Sequence, residues 1–318
     1  MPREAAEIVF GELHQLPHLV ELPDRGVGAD LIGRAGGLLV DIAIDTVTRG
    51  YRISARPGAV MRRARSLLDE DIDALEEAWE KARGTDSVVK VQAPGPITLA
   101  AQLELANGHR AITDAGALRD LTASLAEGVS RHRAEVARRL STTVVVQFDE
   151  PLLTVALAGR LTGVTALSTV HPVDETRFIS LLDECVAAVG GQAILHSCAA
   201  GLPWKALRRS MINAVSVDVA TLGAGDLDGL GEFIDSGRTV VLGVVPALAP
   251  DRLPSVEELA AAAVAVTDRL GFPRAVLRDR IGISPACGLA DATEAWARSA
   301  IGLAQSVAEV MASEPESV

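Results

Sequence analysis

The chain has 318 residues, 48% hydrophobic and 23% charged, with a formal net charge of −12. That balance describes a globular protein with a sizeable core and excludes a disordered or fibrous chain. An acidic chain with 3% aromatic residues, its basic groups nearly all arginine, lacks the basic footprint and stacking platforms of a nucleic-acid binder.

The opening residues, MPREAA, mix acidic and basic groups ahead of a short apolar run, so no targeting segment is expected. The longest apolar stretches, such as 259–266, fall far short of the roughly 20 residues that span a membrane. The cysteines are Cys185, Cys198 and Cys287. An odd, sparse set makes no disulfide framework and points to a reducing cytoplasm.

Short apolar, β-branched runs alternate with longer helical patterns. Strands are predicted at 7–11, 38–44, 87–92, 142–148, 163–170, 192–196, 214–218, 238–245 and 282–284. Helices are predicted at 62–83, 97–106, 115–140, 173–189, 206–211, 227–236, 255–270 and 291–313. Asp114 precedes the third helix as an N-cap, and Ser255 with Glu258 forms a capping box. Such alternation argues parallel β/α units, and strands such as TTVVVQF and RTVVLGVV suit burial on both faces. The expected fold is α/β: a single (β/α)8 TIM barrel over 1–318, with a short N-terminal extension and a frayed tail at 313–318. A doubly wound open sheet is the rival, but no glycine-rich dinucleotide fingerprint opens the first β/α unit.

Polar residues gather where strands end. Asp149 and Glu150 follow VVVQF, His171 follows ALSTV, His196 and Cys198 close QAIL, Asp218 closes AVSV, and Cys287 follows GISPA. The carboxyl ends of barrel strands share one mouth, so these residues are expected to converge. His196 and Cys198 are two apart on an extended backbone and point to the same side. Cys287 stands in a Pro- and Gly-flanked turn, and Asp218 ends an otherwise apolar strand. Two thiolates, one imidazole and one carboxylate are a borderline-soft set that suits Zn2+. Cys185, mid-helix among apolar residues, reads as a core residue.

Four segments in this order, VQFDEP (146–151), LHSC (195–198), VSVDV (215–219) and SPACGLA (284–290), resemble the catalytic half of cobalamin-independent methionine synthase. APGPITLA (93–100) is similar to the Gly-Pro-x-Thr turn of those enzymes, which sit among the uroporphyrinogen decarboxylase/methionine synthase-like barrels. The run at 11–34 resembles a stand-alone actinobacterial branch, and the length leaves no room for the duplicated N-terminal barrel of the long enzyme. The resemblance implies a zinc-dependent methyl transfer to homocysteine or another small thiol. The donor it implies is methyltetrahydrofolate or a methyl-corrinoid. His196, Cys198 and Cys287 match the family's metal ligands, and Asp218 stands where the family has Glu. Asp149 matches the residue that grips the homocysteine amino group, with Glu150 beside it.

Three departures accompany the match. Leu248 occupies the position nearest the family's proton-donating His, and Val155 that of a folate-contacting Glu. The early Ile-Gly-Ser of the family has no clear copy; Phe10-Gly11-Glu12 lies near it, which makes Glu12 the candidate for the substrate carboxylate region. A folate amine must be protonated as it leaves, whereas a corrinoid needs no proton. His171, at a neighbouring strand end, is the candidate substitute acid. His14 and His18 are candidates for lining the mouth, and Gln92 and Thr98 flank the Gly95-Pro96 turn. His132, among Arg131, Arg133 and Glu135, reads as part of a solvated helix face, and His109 carries no clear role. Two other functions remain: a porphyrin-type decarboxylase, which needs cationic grips rather than a thiolate pair, and a catalytically altered zinc- or ligand-binding relative.

Overall fold

The computed structural model describes residues 2–82, 88–164, 169–313 and 315–317. In chain order it begins with α1 (Pro2–Glu12), α2 (Leu31–Leu38), β1 (Ala43–Val47), β2 (Gly50–Ser54) and α3 (Ala59–Lys81). There follow β3 (Val89–Pro94), α4 (Pro96–Gln102), β4 (Leu103–Glu104), α5 (Ala115–Leu140), β5 (Val144–Asp149) and α6 (Leu153–Leu157). Next come α7 (Glu175–Ala188), β6 (Ala193–Ser197), α8 (Trp204–Arg209), β7 (Ala214–Asp218) and α9 (Leu227–Asp235). The chain ends with β8 (Thr239–Val245), α10 (Val256–Arg269), α11 (Ala275–Arg280), β9 (Ile281–Pro285) and α12 (Glu294–Ser313).

The centre is a parallel sheet in the order β3-β5-β6-β7-β8-β9. Residues 17–19 lie parallel to β3, with Lys90 N donating to Pro17 O and Leu19 N donating to Lys90 O, both at 2.9 Å. Among the described residues no pairing joins β9 to this segment. The architecture is therefore α/β with a parallel sheet extended at its β3 edge by the N-terminal segment.

Period-two alternation divides the sheet into two faces. Val144, Val146, Phe148, Leu195, Val215, Val217, Val240 and Leu242 are fully buried in the apolar core. The opposite face is polar. Register sets Gln92, Gln147, Ile194, Ala214 and Thr239 in one row, and Asp149, His196, Ser216, Val241 and Gly282 in the next row toward the carboxyl ends. Registered neighbours in a parallel ladder share a face, so the functional candidates on β5 and β6 face the same way.

Several boundaries follow local chemistry. Asp114 caps α5 through Ala117 N at 2.8 Å, and Ser255 and Glu258 form the expected capping box on α10. The N-terminal expectations need correction. Residues 7–11 are not a strand but part of α1, because Ala6 and Val9 fall at helical spacing and bury against neighbouring helices. Phe10 meets Trp79 of α3 edge-on. The predicted strand at 38–44 divides between the end of α2 and β1, which forms an antiparallel hairpin with β2 in a separate sheet completed by β4. Of the strand predicted at 163–170, residues 165–168 lie outside the described residues, and Thr162 and Thr169 form an isolated bridge. Residue 83 of the predicted 62–83 helix, residue 87 of the predicted 87–92 strand and residues 314 and 318 of the tail also lie outside them. No helix of the described residues is long and apolar enough to cross a membrane.

His132 is the second correction. It is buried, because it continues the inward stripe of α5 formed by Leu121, Leu125, Val129, Val136 and Leu140. It lines a cavity of about 430 Å³ between α5 and the α2–β1 connection. One turn earlier, a Cβ at Gly128 would lie 2.1 Å from Leu38 O, so only glycine lets this connection pack so closely. Burial, with Arg34 nearby, pushes His132 down to about 3 from its ordinary value of 6.5. Between those values the unfolded chain binds a proton that the folded chain does not, so stability rises with pH across this window and is lost on acidification. His132→Gln should flatten the acid limb of stability by about 1.4 kcal/mol per pH unit between roughly pH 4 and 6. Urea unfolding at stepped pH measures this, and equal slopes in the two proteins would refute it.

Candidate metal centre

Three of the ligand candidates meet because the ends of β6 and β9 are brought together. His196 is the penultimate residue of β6, on the polar face, and Cys198 follows two residues later, just past the strand. Cys287 arrives from the turn after β9, where Ala286 N donates to Val245 O at 2.8 Å. Gly243 on β8 permits this turn to cross closely. A Cβ there would lie 2.6 Å from Ala286 Cα and 2.9 Å from Val217 O. One donor atom each from His196, Cys198 and Cys287 lies within 4.8 Å of the others, and the two Sγ atoms are 3.2 Å apart.

The thiols are coupled. The hydrogen bond between the two sulfurs and then that with His196 push Cys287 down to about 4, while the same hydrogen bond and burial push Cys198 up. Of the two sulfurs, Cys287 is thus the one whose thiolate is favoured. His196 Nδ1 lies 3.1 Å from Ser216 Oγ in the adjacent strand, which engages one ring nitrogen away from the sulfurs. Asp218 closes β7, and its Oδ1 accepts from Ala220 N at 2.8 Å, capping the turn Val219–Thr221. It lies outside the three-residue donor group, although its charge reaches Cys198.

Asp149 is in register with His196. Gln147 Nε2 donates to its Oδ1 at 2.7 Å. Burial pushes its carboxyl above the usual range, against the opposing pull of His196, Gln147 and Lys90. Glu150 points elsewhere. It is fully buried, and its two oxygens accept from Ile97 N at 2.8 Å, Thr98 N at 2.8 Å and Thr98 Oγ1 at 2.7 Å. It thereby seals the N-terminus of α4, while burial outweighs these donors and pushes it up to about 7. The Gly95-Pro96 turn fits around it, since a Cβ at Gly95 would fall 2.3 Å from Glu150 Oε1.

The remaining candidates are spread out. Glu12 pairs with Arg298 Nε at 2.7 Å, tying α1 to α12. His171 is exposed on the loop before α7, and Leu248 is 57% exposed just past β8. Val155 packs on α6 against the core. His14 is exposed and lies 3.7 Å from Glu309, and His109 is exposed. His18 does approach the polar face: it is half-buried beside Lys90, and desolvation with that cation pushes it down to about 3. Gln92 is also there, its Nε2 donating to Leu19 O at 3.0 Å.

Three polar-face residues have no place in the sequence-based site. Lys90 Nζ donates to Gln147 Oε1 at 2.7 Å, and Glu21 lies 3.3 Å from Arg34 Nε. Burial pushes Glu21 up to about 7. The signal was present: Lys90 and Gln92, and Gln147 and Asp149, interrupt apolar strands with a period of two.

Residues 3–310 match the family model described as cobalamin-independent synthase, catalytic domain. A solved structure of a B12-independent methionine synthase from Shewanella sp. W3-18-1, in complex with selenomethionine, is similar in fold. The likeness has a TM-score of 0.56 at 17% identity, covering 87% of this chain and 76% of that one. Among curated proteins no match is found.

Removing Glu150 leaves two buried backbone donors of α4 unsatisfied, so Glu150→Ala should cost about 1–3 kcal/mol of stability. A urea midpoint equal to that of the wild type would remove Glu150 from this role.

Proposed function

The chain belongs to the catalytic-domain family of cobalamin-independent synthases, and from that premise we propose that it is a zinc-dependent methyltransferase that methylates the thiol of homocysteine to give methionine. The observation that carries this reading is the meeting of His196, Cys198 and Cys287, with Asp149 on the adjoining strand. Two thiols and an imidazole suit zinc, and the thiolate bias on Cys287 prepares the set for a cation. Asp218 is proposed as the fourth, oxygen donor. Bound there, zinc supplies a Lewis acid that keeps the acceptor sulfur as a nucleophilic thiolate.

The chain's own residues do the rest. Ser216 Oγ engages Nδ1 of His196 and orients the ring; with Nε2 on the metal, the hydroxyl would accept the Nδ1 proton. Asp149 receives the ammonium group of the amino acid, which sets the direction of its sulfur. Glu150 acts one step behind, holding α4 against the end of β5. The fold proposed with this reading is a closed (β/α)8 barrel over the whole chain, working in the cytoplasm. Its mouth is the polar end where the cluster lies.

Two donors suit the site. With methyltetrahydrofolate the N5–methyl bond breaks as the S–methyl bond forms, tetrahydrofolate leaves with a nitrogen that needs a proton, and His171 is the proposed source. A methyl-corrinoid needs none, and the exposed Leu248 at the rim, which offers no proton, favours it.

The purified protein should carry about one zinc per chain. Cys198→Ser and Cys287→Ser should lose the metal, and Ser216→Ala should weaken zinc affinity about tenfold. Methionine formation should follow zinc content in assays that compare methyltetrahydrofolate, its polyglutamate and methylcobalamin. A metal-free wild type that folds normally and transfers methyl equally well would overturn the reading.

A further inference from the structure

Behind the metal cluster the polar face carries a file of three side chains. Lys90 Nζ donates to Gln147 Oε1, and Gln147 Nε2 donates to Asp149 Oδ1, both at 2.7 Å. A lysine ammonium has only donors, and an ionised carboxylate has only acceptors. A carboxamide between them satisfies both in one orientation alone, oxygen toward Lys90 and NH2 toward Asp149. The strands supply the spacing. Gln147 and Asp149 are two apart on β5 and share a face, while Lys90 on β3 is in register with Val145, one step further from the mouth. Burial pushes Lys90 below the ordinary lysine range, and the facing Asp149 and Glu21 oppose that shift.

We propose that Lys90 and Gln147 are positioning residues for the acceptor amino acid: Lys90 fixes the rotation of the Gln147 carboxamide, and Gln147 holds Asp149 Oδ1 so that Oδ2 receives the substrate ammonium. This rests on the assignment of Asp149 to the ammonium group. The file selects an amino-thiol over a plain thiol, because its only outlet toward substrate is one oriented carboxylate oxygen. Neither Lys90 nor Gln147 is among the three clustered donors, so changing either leaves the donor set itself intact.

The test uses the zinc-loaded enzyme with two acceptors, homocysteine and 4-mercaptobutyrate, which lacks the amino group. Lys90→Met and Gln147→Glu should each raise the KM for homocysteine about tenfold, while changing kcat less than about threefold. They should leave the KM for 4-mercaptobutyrate and the zinc content unchanged. Lys90→Gln restores a donor to Gln147 without the charge and should recover most of the loss. Equal loss on both thiols, or an unchanged homocysteine KM, would overturn the proposal. A substrate-free measurement keeps it separate from the choice of acceptor. The Gln147 side-chain amide resonance, assigned by its disappearance in Gln147→Glu, should be protected from hydrogen exchange in the wild type and unprotected in Lys90→Met. Equal protection in both would overturn the proposal even if homocysteine is the acceptor, and the expected contrast would support it even if homocysteine is not.

Discussion

The strands at the centre of the sheet keep one face dry, and the positions of Asp149 and His196 on the other face depend on that division. The dry face is set by side chains such as Phe148, Leu195, Val215 and Leu242, all fully buried. Burying one such side chain contributes about 1.5–3 kcal/mol. A slip of one residue in β6 would turn Leu195 to the polar side and send His196 into the helices. The ligand geometry is thus enforced mainly from behind, by hydrocarbon, rather than by contacts among the ligands themselves. Hydrogen bonds such as that of Ser216 to His196 refine an orientation that packing has already chosen.

The polar face carries its own electrostatic constraint. Burial pushes the carboxyls of Asp149 and Glu21 up and the ammonium of Lys90 down, while the hydrogen bonds at Cys287 push its thiol down. Glu150 differs in kind, because both its oxygens already accept from α4. Two adjacent carboxylates on one strand end therefore have separate tasks: one faces the cluster, and the other anchors the helix that follows the neighbouring strand.

Much of this was legible in the residues, where the signal was local. The α5 boundaries and the strand at 214–218 come out as expected, the first from a clean cap and a long periodic run, the second from a short apolar run closed by a carboxylate. His-x-Cys on a strand end and a cysteine in a Pro/Gly turn exposed three donors that the fold brings together. The failures have physical causes. The apolar run Ile8–Phe10 imitates a strand until the partners on α3 and α12 are known. The charged neighbours of His132 hid its inward position, because one helix turn places polar and buried residues side by side in sequence. Lys90, Gln147 and Glu21 acquire meaning only through partners on other segments. Asp218 shows the limit from the other side, since its carboxylate is partly used in capping its own turn.

Gly243 gives the cluster a history as well as a geometry. The two sulfurs come from positions 89 residues apart, and the second is carried over β8 on the turn that this glycine admits. His196 and Cys198, the latter 89 residues ahead of Cys287, are made first during synthesis, so over that stretch of the chain's emergence the cluster is a bidentate fragment. It reaches its three-donor form only when the last strand docks beside β8. A metal held by the full set, as proposed, would therefore wait for β9 to dock, and the cluster would record whether the C-terminal end of the sheet is in place.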